Sequence, residues 1–474
     1  VLTLPALAAH VAGPAFLIPL VLILVLSALL AATFTALGRR TGGASDLAGY
    51  VSTAFGKRSG LVVGLLFYVG VPPGVAALGL FGGQYVQAAV GGGATPVIVA
   101  AVLIAATYAT NSVGLHFSSS VQVVMTSVLV GLLLVTFALS VGHMDASHFT
   151  PIAPHGWTAI GPAAFLLVWV LTGWEASANL YSSLDPASVV KVAVAAVLII
   201  ATAFGAISVL VLGVLDADST SVAPVAELLG IVLGPTGVFV AAALALILTF
   251  GNMNAYVAGL GAIGRGLTVG RLPWRIPPLA IPTAIAILSL VLTTGKHDAA
   301  RMLVGVTAAS QVPVLLLSCL AALRLLDRFT AAWWSAALAS MAVAALLVPA
   351  GLYLVAPATI TLATVAGGWW HTRAVLREAV RHRGDRRPRG YIPIEMSTAD
   401  RAKPDPAGRA GPGTQAPRKP PAERAGNYAC ERTRQTGSGA SLYSRECPSG
   451  IGEFNRSSEH HSDLRCCACG PRRN

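Results

Sequence analysis

Charge is what this chain has least of. Asp, Glu, Lys and Arg make up 11% of its 474 residues, against about 25% in an ordinary soluble protein. Cysteine is also scarce. There are six, and five of them (Cys430, Cys447, Cys466, Cys467 and Cys469) lie near the C-terminus. That excludes a disulfide framework for the main body, and their spacing lacks the compact paired ligands of a zinc module. Cys319 stands in an apolar run, where a thiol serves as a small hydrophobe. HExxH, GxSxG and P-loop patterns are missing as well, so none of the chemistries they carry is indicated. No enzyme activity, cofactor or metal is expected.

In place of charge there are hydrophobic runs. Apolar residues make up 55% of the chain and the mean hydropathy is +0.70. A bilayer is crossed by about 20 apolar residues, and such runs recur to residue 370. The expected fold is an all-α polytopic membrane protein. Full spans are predicted near 15–37, 60–88, 95–111, 120–141, 160–181, 190–213, 235–260, 278–294, 300–323, 331–349 and 351–370. Residues 1–12 are too short to cross and show no signal-peptide pattern. They are expected to be the second half of a first spanning helix. Pro72-Pro73 predicts a kink in the second full span. Residues 142–157, with three histidines, and 216–230 are expected to be polar loops, the second with a short amphipathic piece at its end.

The net charge of +12 is unevenly placed. Residues 1–372 hold 12 Lys/Arg and 9 Asp/Glu, whereas 373–474 hold 20 and 11. The chain therefore divides into a transmembrane body, 1–372, and a tail, 373–474, whose Arg, Pro and Gly content predicts disorder. Basic charge confined to a tail does not make the body a nucleic-acid binder. Within the body, Arg39, Arg40, Lys57, Arg58, Lys191, Arg265, Arg271, Arg275, Arg324 and Arg328 fall in alternate loops, and the loops between hold little besides Lys296. By the positive-inside rule the basic loops and both termini are expected in the cytoplasm.

Against this background Glu175 stands out. It follows Gly173-Trp174 inside an apolar run, with Asn179 one turn on. An ionisable side chain within a span is costly and marks a solute or proton pathway unless it sits at the membrane edge. Gly173 permits the helix to open there, and open backbone at membrane depth is tolerated only where it lines a cavity. Other polar residues fall within spans: Thr3, Gln84, Tyr85, Tyr108, Gln122, Thr172, Ser177, Asn252, Asn254, Tyr256, Ser310 and Gln311. Helix-packing hydrogen bonds are the plain alternative for most of them.

Several of these stretches have a family likeness. LPALAAHVAGP at 4–14, GRRTGGASDLAGYVSTAFG at 38–56, GWEASANL at 173–180 with Asp185-Pro186, and NMNAYVAGLGAIGR at 252–265 with LP at 272–273 appear in this order over residues 1–370. Together they resemble the amino acid–polyamine–organocation superfamily, and within it the bacterial methionine and branched-chain amino acid efflux permeases. The resemblance implies two inverted five-helix repeats followed by two further helices, with the first and sixth helices broken at mid-membrane to hold an amino acid's charged ends. The family's Gly-x-Gly break lies upstream of the Leu-Pro motif and has no counterpart in this chain. YSSLDP at 181–186 also departs from the family pattern after the sixth-helix break.

On this reading Thr3, Gly173, Glu175, Asn179 and Asn252 are the expected pathway residues. The expected activity is secondary transport of neutral amino acids across the bacterial plasma membrane, as proton-coupled efflux by an antiporter. Uptake of another amino acid or a polyamine, and a non-transporting scaffold or sensor, remain the alternatives. Oligomeric state is left open.

Overall fold

A computed structural model describes residues 2–41, 46–114, 119–174, 186–215, 222–268, 277–296 and 298–366. The predicted disordered tail lies outside these. The described residues form helices and connecting turns, with no strand among them. In chain order they are α1 (Leu4–Ala12), α2 (Leu17–Thr41), α3 (Leu47–Phe55), α4 (Lys57–Gly70), α5 (Pro72–Val90), α6 (Thr95–Ser112), α7 (Ser119–Ser140), α8 (Ile160–Leu167), α9 (Pro186–Leu215), α10 (Pro224–Leu233), α11 (Pro235–Thr268), α12 (Ala280–Thr293), α13 (Ala299–Leu325), α14 (Ala331–Ala345) and α15 (Leu347–Ala350). A last helical stretch covers 355–366. Among the described residues eight helical segments are long and apolar enough to cross a membrane, and three shorter apolar ones accompany them. The all-helical membrane architecture is the one that the resemblance implied.

The bundle is organised around α5, which packs on α6, α11, α12 and α13. Its sequence, PPGVAALGLFGGQYVQAAV, makes this possible. A side chain on Gly83 would begin 2.5 Å from the backbone of Pro96, and one on Gly79 would begin 3.0 Å from Ala100. Lipid offers no hydrophobic drive between helices, so close backbone approach through small residues is what holds them. The predicted proline kink falls at Val71, where α4 gives way to α5.

Each end of the bundle is tied differently. At one, Arg40 pairs with Asp327 at 2.7 Å. Arg324 donates to the Ala54 carbonyl at 3.0 Å and lies 4.4 Å from the Phe55 ring centre, fastening the short helix α3 to α13. Before the start of α2 the α-helix is interrupted at Gly13, with φ +58°, and a side chain there would strike Pro154 at 2.4 Å. The 142–157 segment is bound by backbone: the Asp145 N–H donates to the Gly213 carbonyl at 2.8 Å. The Ser147 hydroxyl and backbone N–H both hydrogen-bond the Asp145 carboxylate and hold its pKa below the usual range.

The end of the 216–230 stretch is a short amphipathic helix, as expected, and it runs on to Leu233. Pro224 sets the start of α10, and Val225, Leu228 and Leu229 recur at helical spacing and are buried, while Glu227 faces out in the first turn.

Candidate substrate cavity

The site forms where two helices end inside the bundle. α8 continues as a 3₁₀ turn over Val168–Leu171 and then stops. Thr172 is extended, with ψ 136°, and Gly173 has φ +108°, a conformation only glycine adopts readily. Trp174 is buried and donates its indole N–H to the Ser27 hydroxyl of α2, which pins the chain just beyond the break. On the other side α1 begins at Leu4. Thr3 occupies its N-cap position without capping it through the side chain. Helix starts leave backbone N–H groups without intrahelical partners, and helix ends leave carbonyls.

Beside the break runs a closed ring of hydrogen bonds. The Thr172 hydroxyl donates to the Trp169 carbonyl at 2.8 Å. Its one proton is thereby used, so the Tyr256 hydroxyl, 2.9 Å away, must be the donor between them. The Trp169 indole N–H in turn points to the Tyr256 oxygen at 3.4 Å. The ring fixes the end of the 3₁₀ turn to α11 and holds Thr172 out of helical geometry.

These elements enclose a cavity of about 430 Å³, within the range of about 300–1,000 Å³ seen for small-molecule sites. Its polar lining consists of Thr3, Tyr85, Gln122, Thr126, Trp169, Thr172, Thr249, Asn252 and Tyr256. Between them lie apolar side chains: Phe81 of α5, Met125 and Leu129 of α7, Ile200 and Phe204 of α9, and Leu248 of α11. Among the described residues the lining contains no carboxylate and no basic side chain. No group of three His, Cys, Asp or Glu among them is placed to hold a metal.

The structure sorts the expected residues. Thr3 and Asn252 both line the cavity. Thr3 is buried and Asn252 is exposed toward the open space. Gly173 sits at the break itself but is not part of the lining. Glu175 and Asn179 lie outside the described residues. Of the wider set, Tyr85, Gln122, Thr172 and Tyr256 reach the cavity. Asn254 does not. It is 2% exposed and accepts hydrogen bonds from Thr110 and Asn111 of α6. Sequence reasoning misses the aromatic members Trp169, Phe81 and Phe204, together with Thr126 and Thr249. An aromatic or a threonine inside a span carries no signal that separates cavity wall from core.

Solved structures with a similar course include a mutant of the manganese transporter of Eremococcus coleocola, with a TM-score of 0.49 and 15% identity over 79% of this chain and 92% of that one. MhsT in complex with L-phenylalanine matches with a TM-score of 0.47 and 14% identity, over 76% of this chain and 94% of that one. In sequence the chain is 28% identical over 380 residues to an uncharacterized amino acid permease, YecA, of Bacillus subtilis (strain 168), covering 77% of this chain and 89% of the relative. Residues 2–366 match the family model described as Amino acid permease. The chain belongs to the amino acid permease family: it is a multi-pass membrane transporter and not an enzyme.

Proposed function

We propose that this permease carries neutral amino acids with branched-chain or methionine-like side chains out of the cell across the bacterial plasma membrane, in exchange for protons. The observation that supports this reading is the make-up of the cavity lining. It combines helix ends and neutral polar groups with the apolar side chains of Met125, Leu129, Ile200 and Phe204. A zwitterion needs no net counter-charge. Its carboxylate suits the N–H groups at the start of α1, and its ammonium suits the carbonyls ending the Val168–Leu171 turn. Its side chain gains by leaving water for the apolar part of the lining, by about 0.8 kcal/mol per buried CH₂. A polyamine or basic amino acid calls for acids in the lining, and the described lining has none. The alternating Lys/Arg loops favour cytoplasmic termini.

Purified protein in proteoliposomes should support counterflow of radiolabelled leucine or methionine. Saturable counterflow of putrescine or arginine instead would transfer the reading to the cationic substrates. No saturable flux of any of these would leave the scaffold reading. Glu175 is assigned the proton. In wild-type vesicles preloaded with leucine, an acidic outside should accelerate leucine exit. Glu175→Gln should keep counterflow but lose that acceleration. An unchanged response to the pH gradient would remove Glu175 from the coupling step.

A further inference from the structure

The hydroxyl of Tyr85 has a use that the cavity alone does not explain. Tyr85 belongs to α5, lines the cavity and is 1% exposed. Its hydroxyl donates to the Leu2 carbonyl at 3.3 Å and accepts the Val225 N–H at 3.3 Å. Leu2 precedes Thr3, the N-cap residue of α1, and Val225 lies in the first turn of α10. One oxygen therefore ties a helix start at the cavity to a short helix that packs on α7, α9 and α11.

The local sequence makes α10 depend on that oxygen. A helix start needs partners for its first N–H groups. Ala223 is the N-cap residue and has no side-chain acceptor. Pro224 has no N–H. The N–H groups of Ala226 and Glu227 are satisfied by the Ala223 carbonyl at 3.0 and 3.1 Å. That leaves Val225, which is fully buried and is supplied from a different helix by Tyr85. Both Tyr85 bonds are long, since N–H···O bonds centre near 2.9–3.0 Å and O–H···O bonds near 2.7–2.8 Å. Releasing the link would leave the buried Val225 N–H without a partner, at the full desolvation penalty of that group, so the state of this oxygen bears on how firmly α10 is seated.

We infer that Tyr85 is a positioning residue that transmits occupancy of the cavity to α10. A substrate that orders Leu2 and Thr3 holds the Tyr85 hydroxyl in place, which completes the cap of α10 and keeps that helix seated. This rests on the transport reading above, and the test separates the two.

Hydrogen exchange of the full chain in lipid nanodiscs, with and without saturating leucine, reads the Val225 region directly. In wild type, leucine should slow exchange both in 245–256, the α11 side of the cavity, and in 222–233. In Tyr85→Phe, which keeps the ring, leucine should still protect 245–256, while 222–233 should exchange about fivefold faster and ignore leucine. Counterflow by the variant should lose about tenfold in maximal rate with KM changed less than about threefold, because a group that seats α10 rather than binding substrate affects turnover more than ground-state binding. A variant that was only less stable overall would exchange faster in every protected helix rather than in 222–233 alone. Leucine protection of 245–256 without any change in wild-type 222–233, or a full response in Tyr85→Phe, overturns the link and leaves the transport reading standing. If neither leucine nor methionine alters exchange in either segment, the neutral amino acid reading fails and the link fails with it.

Discussion

The two sides of α11 carry the same side chain to opposite ends. Asn252 faces the cavity and Asn254 faces α6. Positions two apart on an α-helix are separated by about 200°, so the two asparagines of NMNAY are parted by the thickness of the helix. On one side the amide meets open space and accompanies Tyr256 and Thr249. On the other it is 2% exposed, and its oxygen accepts from the Thr110 hydroxyl at 3.1 Å and from the Asn111 amide. The difference shows how a polar residue in a span is to be read. Its type says only that it avoids lipid. Its helical phase decides whether it serves solute or packing.

The sharpest way to break this contrast is the same near-isosteric change at both positions. Asn254→Asp places a carboxylate against Thr110 and Asn111, which carry no charge, where solvent does not reach. Its thermal stability in detergent at pH 8 should fall by about 2–4 kcal/mol, the scale of an unpaired charge inside a membrane helix. Asn252→Asp, opening on the cavity, should stay within about 0.5 kcal/mol of wild type. Equal losses at the two sites would mean that the two amides see the same environment.

A smaller effect sharpens the cavity side alone. Asn252→Ala should leave the melting midpoint in place and weaken leucine affinity about tenfold, the equivalent of one lost polar contact. Scintillation proximity binding measures this without requiring flux. Unaltered affinity would take Asn252 out of the substrate shell and return it to the role of a helix polar group facing water.

Much of this arrangement is legible in the residues, and the part that is not has a physical cause. Hydropathy places the spans because an apolar run of about 20 residues has few other uses. The opening at residue 173 is legible because glycine followed by tryptophan and a carboxylate in lipid is costly unless the backbone parts from the helix. The partners across the bundle are not legible. That Thr172 meets Tyr256 rather than a residue of α1, and that Tyr85 caps α10, depends on how two helices distant in sequence are rotated, and nothing local records that rotation. α10 is legible as an amphipathic piece because Val225, Leu228 and Leu229 recur at helical spacing with Glu227 between them, but what its buried face meets is not. Asn111 and Thr110 carry no signal of their own because they close α6, where polar residues are expected at a membrane boundary. Only their contact with Asn254 places them in the interior.

The smallest expected effect concerns the ring that joins the two broken regions. Trp169, Tyr256 and Thr172 pass one hydrogen bond to the next, so removing either hydroxyl interrupts the same circuit. Tyr256→Phe and Thr172→Val should each lower leucine counterflow by a few fold. The double variant should be little worse than the more impaired single one, with a coupling energy of about 0.5–1.5 kcal/mol. Additive losses would mean that Tyr256 and Thr172 act on the substrate separately. The ring would then be a consequence of crowding at the cavity wall, and the opening at Thr172 would be held by Gly173 and the Trp174 anchor without help from α11.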